Sequence, residues 1–267
     1  MNSFSGVLKK MWAKDTSPVS YYLELGEDFI SMNQLLNLQI KIEFTNHFEC
    51  GNCKKDLPIY SQGYCKSCFF IVPNTNASIF KPELSTAHLG IEQKNLEWEQ
   101  KLELQPHVVY LAFTGDLKVG VTRKTQIPTR WIDQGAISTT IIAETSNRYE
   151  AGLIEVALSN HMANKTNYRK MLITNNHNIN LLLKKQELKS FLPKDLTHFF
   201  VTDSLVYNFN YPLLSSLEKV ETVLLKNTNF IVDTLIGIKG QCLIFKSNKV
   251  FNIRNHEGYC INLLIQK

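Results

Sequence analysis

Four cysteines form two closely spaced pairs, and their spacing is typical of a metal site. The pairs are Cys50 with Cys53 and Cys65 with Cys68, and eleven residues separate them. Four thiolates at this spacing can close a tetrahedral shell around zinc. Such a shell leaves no open position for catalysis, so we expect a structural zinc ion. Two disulfides are the alternative, which a reducing cytosol disfavours.

A second set of residues suited to chemistry lies between His107 and Leu158. Arg130 and Gln134 are four residues apart and would share one helix face, and Glu155 lies in the middle of a later apolar segment. Phosphodiester cleavage places negative charge on the phosphoryl oxygens and the leaving group. A guanidinium and one divalent ion held by a carboxylate can stabilise that charge. The alternative is that Arg130 and Glu155 form an ion pair between two packed helices.

The elements that would position these residues follow from the local sequence. Apolar runs predict the strands, glycine with aspartate predicts a tight turn, and capping residues mark the helices. The predicted order is a strand at 108–113, a turn at 114–116, a strand at 117–121, a short helix that contains Arg130 and ends at Gly135, a strand at 139–143, and a helix from about Asn147 to His161.

This order of elements resembles the GIY-YIG endonuclease superfamily. Val108-Val109-Tyr110 is similar to its first signature, and Lys118-Val119-Gly120 is similar to its second. The resemblance implies that Tyr110 orients the attacking water or the substrate and that Arg130 stabilises transition-state charge. It also implies that Glu155 holds Mg²⁺ or Mn²⁺, and that the protein hydrolyses phosphodiester bonds in DNA or RNA. We therefore expect Tyr110, Lys118, Arg130 and Glu155 to converge on one cleft.

Lys118 departs from the superfamily pattern, because it stands where the second signature has a tyrosine that acts near the attacking water. A lysine amine can serve there only if burial or a cationic neighbour lowers its pKa by several units. Otherwise it is a positive charge suited to a phosphate. The alternative to a nuclease is therefore a non-catalytic DNA- or RNA-binding module that uses the same cleft to hold phosphate.

The chain as a whole is similar to an uncharacterised family of bacterial proteins with a four-cysteine ribbon. This resemblance implies no function. Four stretches carry it: Ser61-Gln62-Gly63-Tyr64-Cys65, Ala87-His88-Leu89-Gly90-Ile91, Lys118 to Ala136, and Gly237-Ile238-Lys239-Gly240-Gln241.

Composition narrows the class of protein. Hydrophobic residues make up 44% of the 267 residues and charged residues 20%, which is typical of a folded protein. No apolar run approaches about 18 residues, and the N-terminus lacks a signal-peptide core, so we expect a cytoplasmic protein without a membrane partner. The net charge of +5 permits a nucleic-acid partner without requiring one. Residues 115–122 have the glycine spacing of a P-loop, but Val121 replaces its lysine, so no nucleotide cofactor is expected.

The predicted fold class is α+β, with a small GIY-YIG-like α/β core, a zinc ribbon and a discontinuous antiparallel β domain. Alternating apolar and polar residues near both ends of the chain predict that the two termini pair into this β domain. The predicted parts are a β-rich domain at 1–48 and 201–267, the zinc ribbon at 49–72, a linker at 73–100, the core at 101–175 and a helical segment at 176–200.

Overall fold

The computed structural model describes residues 2–266 and has a mixed α+β fold with several sheets, which confirms the α+β part of the prediction. The strands are β1 Asn2–Val7, β2 Trp12–Lys14, β3 Ser20–Leu25, β4 Asp28–Ser31, β5 Gln39–Phe48, β6 Ile59–Ser61, β7 Tyr64–Cys65, β8 His107–Phe113, β9 Leu117–Arg123, β10 Ser138–Thr145, β11 Tyr207–Asn208, β12 Glu221–Thr222, β13 Phe230–Lys239, β14 Cys242–Phe245, β15 Lys249–Asn252 and β16 Tyr259–Gln266. The helices are α1 Lys66–Ile71, α2 Ala77–Phe80, α3 Leu96–Glu103, α4 Thr129–Asp133, α5 Arg148–Ser159, α6 Tyr168–Ile173, α7 Leu181–Lys189 and α8 Leu225–Thr228.

The chain folds into two compact units. The first contains the described residues up to Phe70 and those from Asn210 onward, and the second contains Ile71–Phe209. The sequence predicted a zinc ribbon at 49–72. Its residues up to Phe70 belong to the first unit together with the strands from both ends of the chain, and Ile71 and Val72 belong to the second. None of the helices within residues 2–266 is long and apolar enough to cross a membrane.

The largest sheet of the first unit combines strands from both ends of the chain. Its order is β1-β16-β5-β13-β14-β15-β12, and all neighbours are antiparallel except β12 and β15. Residues on β5 and β16 alternate between buried and more exposed positions, as expected for a sheet with one covered face. The register places Ile42 opposite Leu263 and Ile40 opposite Ile265, so the buried side chains of the two strands lie side by side.

The second unit is built on an antiparallel sheet with the order β11-β10-β8-β9. Every residue of β8 is buried, which explains its almost unbroken apolar sequence. Helix α5 packs against β8, β9 and β10, and helix α7 packs against β8 and β10. Ile154 and Leu158 of α5 and Leu181 and Leu188 of α7 belong to the same hydrophobic core. This core holds α5 close to the β8–β9 hairpin.

Residues 73–100, for which the sequence predicted a linker, contain short helical turns and buried polar groups. Glu99 accepts hydrogen bonds from the Asn76 side chain at 2.6 Å and from the backbone N–H groups of residues 93–95 at 2.7–3.1 Å. Glu103, at the end of α3, accepts hydrogen bonds from two serine hydroxyls of this segment, at 2.7 and 2.5 Å. Both glutamates are almost fully buried. The segment is therefore packed into the second unit.

A buried histidine gives the second unit a predicted sensitivity to acid. The His107 side chain is fully buried, and its Nδ1–H lies 2.7 Å from the Gln105 carbonyl oxygen. Burial and, to a smaller extent, the charges of Arg148 and Arg123 lower the pKa of His107 from 6.5 to about 4, although that hydrogen bond opposes the shift. Because the unfolded chain takes up this proton near pH 6.5 and the folded chain does not, stability should fall as the pH drops from 6.5 towards 4.

The expected loss is about 3 kcal/mol over that range, at about 1.4 kcal/mol for each pKa unit. We expect denaturant unfolding of His107→Gln to show a shallower loss of stability with falling pH than the wild type. Equal pH slopes for the two proteins would show that another group controls the acid response.

Candidate functional site

The four cysteines of the two C-x-x-C pairs lie together in the first unit. We call Cys50, Cys53, Cys65 and Cys68 the cysteine cluster; their Sγ atoms all lie within 4.8 Å of one another. The Sγ atoms of Cys53 and Cys65 are 3.9 Å apart. Zinc–sulfur bonds of about 2.3 Å in a tetrahedron place the sulfurs about 3.8 Å apart. The donor set and its spacing fit, so the cluster can hold a metal ion such as zinc.

Hydrogen bonds favour the metal-binding form of the cysteine cluster. The Cys65 backbone N–H donates to the Cys50 Sγ at 3.3 Å, and the Asn52 side chain donates to the Cys68 Sγ at 3.3 Å. Burial by itself raises the pKa of Cys50, but hydrogen bonds from backbone N–H groups outweigh burial and lower that pKa from 9.0 to about 6. Metal ions bind the thiolate, so this environment suits a metal ligand.

The β8–β9 hairpin brings Tyr110 and Lys118 to one face. Tyr110 lies opposite Gly120, and Ala112 lies opposite Lys118. Because residues two apart on a strand share a face, Tyr110 and Lys118 point to the same side. A Cβ atom at position 120 would lie only 2.6 Å from the Tyr110 hydroxyl oxygen, so glycine is needed there. The Lys118 Nζ lies 5.9 Å from the centre of the Tyr110 ring.

Lys118 is buried, with 4% of its surface exposed. Burial and, to a smaller extent, the positive charge of Arg130 lower the pKa of Lys118 from 10.5 to about 7, although the carboxylate of Glu155 opposes the shift. The requirement for a catalytic lysine, a pKa lowered by several units through burial and a cationic neighbour, therefore holds at this position. Near neutral pH the amine is divided between its charged and neutral forms.

Helix α4 places Arg130 and Gln134 beside the Tyr110 hydroxyl. Gln134 follows the last residue of α4, and its Oε1 accepts a hydrogen bond from the Tyr110 hydroxyl at 2.9 Å. Burial raises the pKa of Tyr110, and the positive charge of Arg130 opposes that effect. Tyr110 therefore stays protonated at neutral pH, where it can donate or accept a hydrogen bond but does not act as a base.

Helix α5 presents Glu155 towards this group. The helix begins after Asn147, whose side chain accepts a hydrogen bond from the backbone N–H of Glu150. Burial raises the pKa of Glu155, whereas Lys118 and Arg148 lower it. We call Tyr110, Lys118, Arg130 and Glu155 the hairpin cluster, since their charges or contacts act on one another beside β8 and β9.

Glu83 is a further acidic residue near the hairpin cluster, and the sequence alone did not indicate it. Its negative charge raises the pKa of Glu155. A Cβ atom at Gly152 would lie 2.2 Å from the Glu83 backbone nitrogen, so the segment around Pro82–Leu84 lies directly on α5 one turn before Glu155. The sequence feature that could have indicated this packing is Gly152, because a glycine inside a helix often marks a close approach of another backbone segment.

Arg148 anchors the same segment. Its Nε donates to the Ser78 carbonyl oxygen at 2.7 Å, and its Nη2 donates to the Ile79 carbonyl oxygen at 2.9 Å. Burial lowers the pKa of Arg148, and the negative charges of Glu103 and Glu155 oppose that shift. Arg148 therefore holds residues 78 and 79 in place and also adds positive charge near Glu155.

The ion pair that the sequence left as an alternative is not formed. Within residues 2–266, no side-chain nitrogen of Arg130 or Lys118 lies within 4.0 Å of a Glu155 carboxylate oxygen. The two cations and the carboxylate influence one another without direct pairing. Such an arrangement can bind an anion at the cations and a cation at the carboxylate.

A comparison with known protein families assigns the chain to one family. A family described as "Protein of unknown function (DUF2797)" matches residues 38–261. The chain belongs to DUF2797. The matched region includes both the cysteine cluster and the hairpin cluster, so each of the two candidate sites lies within the family's common region. No curated protein and no solved structure matches the chain.

Proposed function

We propose that this DUF2797 protein acts on nucleic acid and that the hairpin cluster hydrolyses a phosphodiester bond with a divalent metal ion. The observation that carries the proposal is the grouping of Tyr110, Lys118, Arg130 and Glu155 around one hairpin without a direct ion pair. The resemblance of their order to the GIY-YIG superfamily supports DNA or RNA as the substrate.

Each residue has a role that its surroundings support. The Arg130 guanidinium is suited to stabilise negative charge on the phosphoryl oxygens. The neutral form of Lys118 can accept a proton from the attacking water, because its pKa is about 7. Tyr110, held by Gln134, would orient that water or the substrate.

Glu155, with Glu83 nearby, would hold Mg²⁺ or Mn²⁺. Both ions prefer oxygen ligands. The negative charge of Glu83 raises the pKa of Glu155, and a cation bound between the two carboxylates would lower that pKa again. A bound ion would supply Lewis-acid stabilisation of the phosphoryl oxygen.

We propose zinc as the ion of the cysteine cluster, with a structural role. Four thiolates fill a tetrahedral shell, so no position remains for water or substrate. Because the cluster ties the segment at 50–53 to the segment at 65–68, zinc would stabilise this part of the first unit.

The test is incubation of the protein with single- and double-stranded DNA and RNA, with Mg²⁺, with Mn²⁺ and with neither. We expect cleavage products only where a divalent ion has been added. Metal should be omitted rather than chelated, because a chelator would also act on the cysteine cluster. Binding without cleavage in every metal condition would overturn the enzymatic proposal.

One observation favours a second candidate, the non-catalytic module that holds phosphate. The Tyr110 hydroxyl is already engaged by Gln134, and Lys118 stands in place of the second tyrosine. In this candidate Lys118 contacts phosphate through its charged form.

The pH profile separates the two candidates, because they need opposite forms of Lys118. A lysine whose pKa lies at about 7 is protonated below that pH and neutral above it. If Lys118 accepts a proton from water, kcat/KM should rise as the pH passes from about 6 to about 8. If its ammonium holds phosphate, affinity for nucleic acid should fall over the same range.

Lys118→Met should remove whichever dependence is found, with a loss of roughly 10²- to 10⁴-fold in rate for the catalytic role. Lys124→Met is the matched control, because Lys124 is a more exposed lysine that pairs with Glu144 at 2.7 Å. A Lys118→Met protein with a wild-type pH profile would exclude both roles for this residue.

A further inference from the structure

A cavity of about 500 Å³ lies in the first unit. Its lining comes from three segments: the turn between β6 and β7, the beginning of α8 and the turn before β16. A volume of 300–1,000 Å³ is typical of pockets for small ligands. The cavity is therefore large enough for one nucleotide.

Two glycines bring the walls of the cavity together. Gly63 and Gly258 both have positive φ angles, at 77° and 87°. A Cβ atom at Gly258 would lie 2.6 Å from the Ile59 Cδ1, and one at Gly63 would lie 3.4 Å from the Glu257 Cβ. The β6–β7 hairpin and the turn before β16 are therefore in close contact.

The lining has a surplus of positive charge. Lys226 and Arg254 are exposed, and 40% of the Arg254 side chain is accessible to solvent. Glu257 is the acidic residue among the described residues of the lining; it is 15% exposed and lies 3.6 Å from Arg254. His256 adds no charge at neutral pH, since burial lowers its pKa and its Nε2 accepts the Leu225 backbone N–H. The cavity therefore suits an anionic ligand.

Aromatic and amide side chains accompany these cations. Tyr60 lines the cavity and is 55% exposed, while its ring contacts Phe69 at 5.1 Å and Phe70 at 5.8 Å. A supported, exposed ring is a surface on which a nucleobase can stack. Gln62 and Asn255 also line the cavity, and their amide groups can hydrogen-bond to the edge of a base.

We propose that this cavity binds one nucleotide of a single-stranded nucleic acid. Lys226 and Arg254 hold its phosphate, and Tyr60 stacks on its base. The combination of positive charge with an exposed ring favours this ligand, because a strand offers both a phosphate and a flat base at every position. The site lies in the first unit and does not require the hairpin cluster to be catalytic.

The test is fluorescence anisotropy of labelled oligothymidine and oligouridine with the full chain, without Mg²⁺ or Mn²⁺. We expect Tyr60→Ala to weaken binding by about 5- to 100-fold and Tyr60→Phe to preserve it. Lys226→Ala should reduce the slope of log affinity against log salt by about 0.7, the value for one single-strand phosphate.

Two controls match these variants. Phe29→Ala removes an exposed ring that also rests on another ring, since Phe29 is 59% exposed and stacks on Tyr22 at 5.0 Å. Lys14→Ala removes an exposed lysine of the same unit that does not line the cavity. Equal affinity of the Tyr60→Ala protein and the Phe29→Ala protein would overturn the proposal, and so would an unchanged salt slope for Lys226→Ala.

Two further outcomes identify the ligand and keep this site separate from the proposed function. A thymidine monophosphate that competes as strongly as the oligonucleotide would overturn the assignment to a strand. If binding depends on Tyr60 but no metal-dependent cleavage occurs, only the proposed function is overturned. If cleavage occurs but Tyr60→Ala binds as the wild type does, only this inference is overturned.

Discussion

The purified protein should contain one zinc ion per chain, and Cys53→Ser should lose it. The substitution replaces a thiolate of the cysteine cluster with a hydroxyl, which is a far weaker zinc ligand. Structural zinc contributes an apparent 10–16 kcal/mol in zinc-finger peptides. Loss of the ion should therefore lower the free energy of unfolding by a large part of this contribution, and at least the segment at 50–68 should unfold. Elemental analysis and denaturant unfolding measure the two effects.

Cys260→Ser is the control for this prediction. Cys260 is a half-buried cysteine of β16 outside the cysteine cluster, so its substitution should leave the zinc content unchanged. Wild-type protein without metal, or a Cys53→Ser protein with full zinc content, would contradict the metal site.

Glu155→Gln should reduce metal-dependent cleavage by about 10³-fold while the fold is retained. The amide keeps the size of the side chain but removes the negative charge that would hold Mg²⁺ or Mn²⁺. A Lewis acid on the phosphoryl oxygen contributes several kcal/mol to the transition state, and about 4 kcal/mol corresponds to 10³ in rate. The fold should tolerate the change, since removing a half-buried charge relieves the cost of burial that raises the pKa of Glu155.

The readout is cleavage rate against Mg²⁺ concentration for Glu155→Gln and for Glu97→Gln. Glu97 is an exposed glutamate of α3 in the same unit, so its substitution should not change the rate. Equal rates for the two variants, with intact folding by circular dichroism, would remove Glu155 from the mechanism.

The sequence alone located the elements and the chemical groups of this protein. The spacing of the cysteine pairs predicted a four-sulfur site, and the sulfurs do lie together. The apolar run from 108 to 113 predicted a buried strand, and Asn147 marked the start of the later helix. These features are local, because a knuckle, a strand face or a helix cap depends on residues a few positions apart.

The surroundings of the hairpin cluster could not be predicted in the same way. Glu83 lies in a stretch with the composition of a linker, and only packing against Gly152 brings it near Glu155. The low pKa of Lys118 likewise depends on burial beneath its neighbours and on the charge of Arg130. Neither effect is visible in spacing, because residues distant in sequence produce it.

The sequence thus determined which chemical groups are available. These are four thiolates in two pairs, and a tyrosine, a lysine, an arginine and a glutamate in a fixed order. The tertiary structure decided how far these groups are from one another and from water. It left Arg130 and Glu155 without a direct ion pair, buried Lys118, and paired strands from the two ends of the chain in one sheet. The physical reason is that desolvation and Coulomb interactions depend on distance in space, whereas helix and strand patterns depend on distance along the chain.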